Sequence, residues 1–110
     1  MKEQERILCA AIWYKDIPLK KLNIPNQNPI NVDKGAVFCG YRHPHCMYTM
    51  VAVTGLRSVK FAVDGVGEQV QGFLTSYNRF VNREEAAKIH IENGGKLNYS
   101  SKELYSEDLY

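Results

Sequence analysis

The sequence predicts an α+β fold, with a small antiparallel β-sheet, two α-helices and an extended C-terminal tail. Three observations lead there. Short apolar runs alternate with turn chemistry, and Asp64-Gly65 is a hairpin signal between two of them. Two segments carry the start and stop signals of helices. The last stretch, 96–110, is polar with spaced apolar anchors.

Arg6 to Tyr14 (RILCAAIWY) is nearly continuous in apolar residues and lacks a helix cap, which predicts a strand covered on both faces. A short buried helix is the competing reading. Trp13 and Tyr14 are expected to close the core. Lys15 to Lys34 holds Pro18, Pro25 and Pro29 with Asn23, Asn26 and Asn28, so a connector without regular structure is expected, read as a solvated loop. Gly35 to Gly40 is a second strand. A helix then opens at Pro44 and runs to about Thr54, with Gly55 as its stop and Met47, Met50, Val51 and Val53 as its buried stripe.

Val59 to Val63 alternates like a half-buried strand, and Asp64-Gly65 turns it into a return strand at Glu68 to Leu74. Gly72 there marks a bulge or a close backbone approach. After a polar turn, Asn82 and Glu85 form a capping box, with Val81 and Ala86 as a hydrophobic staple. That helix runs to about Asn93 and ends at Gly94-Gly95. Ala86, Ala87, Ile89 and His90 leave a small-residue face that lets another helix approach closely. In the tail, Leu97, Leu104, Tyr105, Leu109 and Tyr110 must dock on the body or on a partner to be ordered.

With 110 residues the chain is a single domain, 1–110. A net charge of +2 is too small for a binder of DNA or RNA duplexes, though a small anion needs only a local cluster. No apolar run approaches the roughly eighteen residues of a membrane span, and MKEQERILCAAIWYKD lacks the apolar core of a signal peptide. Cys9, Cys39 and Cys46 form an odd set, read as reduced thiols in a cytoplasm.

The stretch from Glu68 to Ile89 carries the chemistry. A strand feeding a helix N-terminus gathers backbone N–H groups, a positive dipole end and cations, which suits a phosphate-bearing small molecule. Asn78, Arg79 and Arg83 flank that point, interleaved with Phe73, Tyr77 and Phe80. The alternative is that the arginines pair with Glu84, Glu85 or the acidic tail. Arg57 and Lys60 form a weaker basic spot, otherwise a solvated face. Cys39, His43, His45 and Cys46 match no closed zinc spacing, and Pro44 splays them, so no metal is expected. His43 and His45 lack a partner nucleophile in any hydrolytic motif, so catalysis is not expected.

CGYRHPHC (Cys39–Cys46), QGFLTSYNRFVNREEAAKI (Gln71–Ile89) and LYSEDLY (Leu104–Tyr110), in that order, resemble the phage Thoeris anti-defence proteins of the first type. The likeness extends over most of the chain. It implies a sponge that binds glycocyclic ADP-ribose, the signal of TIR-domain immunity, without cleaving it, in the host bacterial cytoplasm and without a cofactor. It implies a small antiparallel sheet with two helices, dimerising through the helices, with ligand pockets at the dimer interface. Some members build hexamers and hold cyclic oligonucleotide signals of the CBASS system at a separate site.

Within the matching motifs, the residues chosen for the cyclic ADP-ribose are Phe73, Thr75, Ser76, Asn78, Arg79, Asn82, Arg83, Arg42 and Asp108. Arg57 and Lys60 are the choice for the separate site. A nucleotide-signal hydrolase using His43 or His45, and a phage accessory protein-binding module, are the alternative functions.

Overall fold

In the computed structural model the described residues are 4–17, 28–55 and 68–109. They form β1 (Ile7–Tyr14), β2 (Ala36–Gly40), α1 (His43–Thr54), β3 (Gln69–Thr75), β4 (Phe80–Asn82) and α2 (Arg83–Glu92), followed by a single 3-10 turn at Ser106–Asp108. The strands make one antiparallel sheet in the order β2-β1-β3-β4. The fold is therefore α+β, as the sequence predicts. The expected strand at Val59 to Val63, its Asp64-Gly65 hairpin, and Pro18 and Pro25 of the connector lie outside the described residues.

β1 is a strand, and it is covered on both faces. Ala10, Ile12 and Tyr14 point into a main core with Phe73, Val81, Cys46, Met50, Ala86, Ala87 and Leu104. Ala11 and Trp13 point to the opposite face, where Val32 and Phe80 join them. Burial of Tyr14 pushes its phenol up to about 12. Trp13 donates from Nε1 to the Lys34 carbonyl at 2.9 Å, so both aromatic residues close the core as expected.

The described part of the connector is a loop, solvated at Ile30, Asn31, Asp33 and Lys34 but also tied to the sheet. Asn31 donates to the Phe80 carbonyl at 2.7 Å and accepts from the Phe80 N–H at 2.8 Å. Its side-chain amide thus stands in for a neighbouring strand beside the short edge strand β4. Asn28 does the same for Gly35 and Val37. Composition rightly excludes regular structure here, but side-chain amides can satisfy a sheet edge without any periodic pattern.

α1 spans the expected residues, with Pro44 in its first turn and Gly55 at φ 71 beyond its end. Its buried stripe is different: His43, Cys46 and Met50 are buried, whereas Val51 and Val53 are 42% and 53% exposed. Met47 and Met50 face the core as expected, but the stripe continues through His43 and Cys46 and not through Val51 and Val53. Gly72 is a close approach, since an added Cβ would collide with the Val81 carbonyl oxygen. The register irregularity of the β1–β3 pair sits at Ile7/Cys9 instead.

α2 has its capping box: Asn82 Oδ1 accepts from Glu85 N–H at 2.8 Å and Glu85 Oε1 accepts from Asn82 N–H at 3.3 Å. Its small face is turned inward. Ala86 and Ala87 pack in this chain's own core, so they offer no seam to a second helix. The tail docks on the body. Leu104 is fully buried, and its N–H donates to the Arg83 carbonyl at 3.0 Å. Truncating Leu104→Ala is expected to cost about 2–5 kcal/mol of unfolding free energy. Urea denaturation followed by circular dichroism measures it, with faster proteolysis of the tail accompanying the loss.

Candidate functional site

The segment read as one corner is divided by β4. Phe80–Asn82 forms a third, three-residue run that pairs back on β3, with Gly72 opposite Asn82 and Leu74 opposite Phe80. Thr75, Ser76, Asn78 and Arg79 therefore sit at the hairpin end, whereas Asn82 and Arg83 sit at the helix start. At about 3.3 Å per strand residue, the two groups are roughly 10 Å apart along β3.

The hairpin end is a structural clasp. Thr75 N–H donates to the Arg79 carbonyl at 2.9 Å, and Asn78 adopts φ 58, the left-handed conformation that asparagine tolerates in turns. Thr75 is buried, donates from Oγ1 to Glu5 at 2.6 Å and accepts from Tyr77 N–H. Ser76 Oγ accepts from Arg6 N–H at 2.9 Å.

Arg79 grips Glu5 with two hydrogen bonds of 2.8 Å, a fork on a carboxylate. That bond holds the Glu5 carboxyl below its usual range. Arg79 is thus paired with the N-terminal segment and not with Glu84, Glu85 or the tail. Sequence spacing did not reveal this, because Glu5 and Arg79 meet only when β1 lies beside β3.

The helix-start end is where several elements converge. Arg83, the first residue of α2, donates from Nη2 to Gln71 Oε1 of β3 at 2.6 Å. Its guanidinium lies over the Tyr105 ring with the carbon 4.5 Å from the centroid. Arg83 Nε is buried with no hydrogen-bond partner among the described residues. Gln71, Asn82, Arg83, Glu84 and Glu103 line an adjoining cleft of about 240 Å³. Gln71, Glu103 and Tyr105 were not singled out for a ligand in the sequence. In the sequence Tyr105 is legible only as an anchor, since no local signal marks it as a platform for an arginine twenty-two residues away.

α1 delivers His43 to the same neighbourhood. The ring is buried, packs edge-on to Phe73 at 5.2 Å, and its Nε2 is 2.8 Å from the Gly72 carbonyl oxygen. A carbonyl only accepts, so Nε2 carries the proton. Burial holds His43 below the usual imidazole range; the Gly72 carbonyl and the charge of Glu107 oppose this, and that of Arg83 reinforces it. Arg42 is the N-cap of α1, and its guanidinium lies 4.8 Å from the Tyr41 centroid. The first turn of α1 holds no acidic residue, which leaves its positive end uncompensated locally. His45 Nδ1 accepts from Arg42 N–H at 3.1 Å, so the two histidines are held apart on different backbone partners.

Of the remaining residues chosen from sequence, Phe73 is fully buried in the core and presents no face to a ligand. Asp108 braces the tail: Oδ1 accepts from Asn98 N–H at 2.8 Å and Oδ2 from Tyr105 N–H at 3.0 Å, which leaves its oxygens committed within the chain. Glu107 is the exposed acid of that turn. Arg57 and Lys60 lie outside the described residues. No cluster of three or more His, Cys, Asp or Glu is gathered for a metal ion among the described residues, and no described helix is long and apolar enough to cross a membrane.

A family model described as "Phage T4 y16D protein" matches residues 6–110. No curated protein and no solved structure matches the chain.

Because the folded state keeps His43 neutral, the unfolded chain takes up the proton first as the pH falls. Stability from this group is full above about pH 6.5 and is lost below it. Unfolding free energies are expected to decline between about pH 7 and pH 5, ahead of the carboxylate range where Glu5 contributes. The decline should flatten in His43→Gln; an equal slope in that variant would assign it to another group.

Proposed function

We propose, from the premise that the chain belongs to the phage T4 y16D protein family, that it is a non-catalytic sponge for a cyclic ADP-ribose signal of the infected host. The reading places its action in the bacterial cytoplasm, on the glycocyclic ADP-ribose that a TIR-domain immune protein makes. The observation that carries it is Arg83. Its guanidinium is held by Gln71 and Tyr105 at the start of α2, with a buried Nε still unpartnered, beside a cleft of nucleotide-fragment size.

A pre-oriented guanidinium and a helix N-terminus suit a pyrophosphate. Glu84 and Glu103 in the same cleft disfavour a bare anion but supply acceptors for ribose hydroxyls, so the pair of acids favours a nucleotide over inorganic phosphate. Arg42 and Asn82 belong to the two helix starts that flank this region. Thr75, Ser76, Asn78 and Arg79 are assigned to the clasp. Holding without cleavage is supported by His43 and His45, each of which is engaged with a backbone group. A separate site for cyclic oligonucleotides at Arg57 and Lys60 belongs to the same reading.

The sponge is proposed to be a helix-mediated dimer, through α1 and not through α2. HPHCMYTMVAVT contains no Asp, Glu, Lys or Arg, and Tyr48 is 70% exposed on it beside Val51 and Val53. A second copy can lie against that face without like-charge repulsion.

Incubation with glycocyclic ADP-ribose followed by heat denaturation is expected to release the molecule intact. Recovery of a linear product would replace the sponge with an enzyme. Arg83→Ala should weaken binding roughly 10- to 100-fold, the worth of a charged hydrogen bond, with the fold retained by circular dichroism. Arg79→Ala should do the reverse, lowering stability and sparing affinity in calorimetry. Tyr48→Glu is expected to convert the dimer to monomer in light scattering; a monomeric parent would remove the α1 interface.

A further inference from the structure

Two of the three cysteines lie on adjacent strands of the sheet. Cys39 lies on β2 opposite Ala11, and Cys9 lies two residues from Ala11 on β1. Successive side chains alternate between faces, so both thiols emerge on the side opposite the helices, near the end of the ladder. Cys39 is exposed, Cys9 is half-buried, and Cys46 is buried on α1. The Cys9 and Cys39 side chains are therefore diagonal neighbours across the β1–β2 pair, on one face of the sheet.

We infer that Cys9 and Cys39 form a dithiol modification site that takes low-molecular-weight disulfides, such as oxidised glutathione, and closes to a Cys9–Cys39 bridge between β1 and β2. The Cys9 thiolate attacks one sulfur of the small disulfide, breaks its S–S bond and expels one thiolate, which takes up a proton. The mixed disulfide on Cys9 is then attacked by the Cys39 sulfur, whose proton goes to the second departing thiolate. Two protein thiols are oxidised to one disulfide, and one small disulfide is reduced to two thiols.

The arrangement suits each step. The hydrogen bond from Cys39 holds the Cys9 thiol down to about 7, despite the opposing effect of burial, so a large thiolate fraction exists near neutrality. The same bond pushes Cys39 up, until modification of Cys9 removes it. The bridge also reaches the region around His43. Gly40 follows Cys39 and abuts α1, where an added Cβ would lie 2.9 Å from Cys46 N. A staple at Cys39 therefore anchors the short link that carries Arg42 and His43.

The test is oxidised glutathione on the native protein, with acid quench, alkylation and peptide mapping. The expected result is an internal Cys9–Cys39 disulfide with two glutathiones released per chain, and arrest of Cys39→Ser at a mixed disulfide on Cys9. The rate of Cys9 alkylation by iodoacetamide should be half-maximal near pH 7 in the parent and move to the ordinary cysteine range, about 8.5, in Cys39→Ser. A bridge to Cys46, a stable mixed disulfide in the parent, or no reaction by the time a free cysteine peptide is consumed would overturn the assignment. The mapping of the parent stands whether or not the variant folds.

Discussion

The double burial of β1 is the constraint on which the other elements depend. It is hydrogen-bonded on both edges and covered on both faces, with Ala10, Ala11 and Ile12 wholly removed from water. Main-chain groups buried in this way must all be paired, which requires β2 and β3 in register beside it. Alanine at positions 10 and 11 leaves room for covering elements to come close to the backbone. Helices and tail cover one face, and residues of the connector cover the other.

That arrangement assigns different work to the two arginines of one short segment. Arg79, at the hairpin end, is neutralised by Glu5 and ties the start of the chain to the β3–β4 turn. Arg83, at the helix start, is oriented by an uncharged amide and an aromatic ring, neither of which cancels its charge. A cation that is positioned but not neutralised is the more useful to an anionic ligand. The tail decides the difference, because burial of Leu104 brings Tyr105 under the guanidinium.

α1 and α2 divide the interface chemistry in a similar way. α2 turns its small residues inward and keeps Glu84, Glu85 and Lys88 in solvent. α1 turns His43, Cys46 and Met50 inward and exposes an uncharged surface. Inward alanines bring α2 close to the sheet, so the proposed contact with a second copy falls to α1, whose outer face has no other cover among the described residues.

Local chemistry in the sequence was enough for much of this protein. The capping box of Asn82 and Glu85, the Pro44 and Gly55 boundaries, the apolar run of β1 and the dependence of the tail on docking were all legible, because each involves residues within a few positions of one another. Membership of a phage family agrees with the phage resemblance carried by the three motifs. Sequence could not decide which of those residues would meet. β4 was missed because three residues carry no period. The stripe of α1 is legible at Met47 and Met50 but not at His43 and Cys46, because Val51 and Val53 are equally apolar and only packing on the sheet decides which side is covered. Phe73 was drawn into the core, Arg79 went to Glu5 and Asp108 to the tail's own backbone, while Gln71 and Tyr105 came to Arg83. The Asp108 contacts span three and ten positions, but those of Arg79 and Arg83 span twelve to seventy-four and exist only because the sheet and the docked tail bring distant segments into contact.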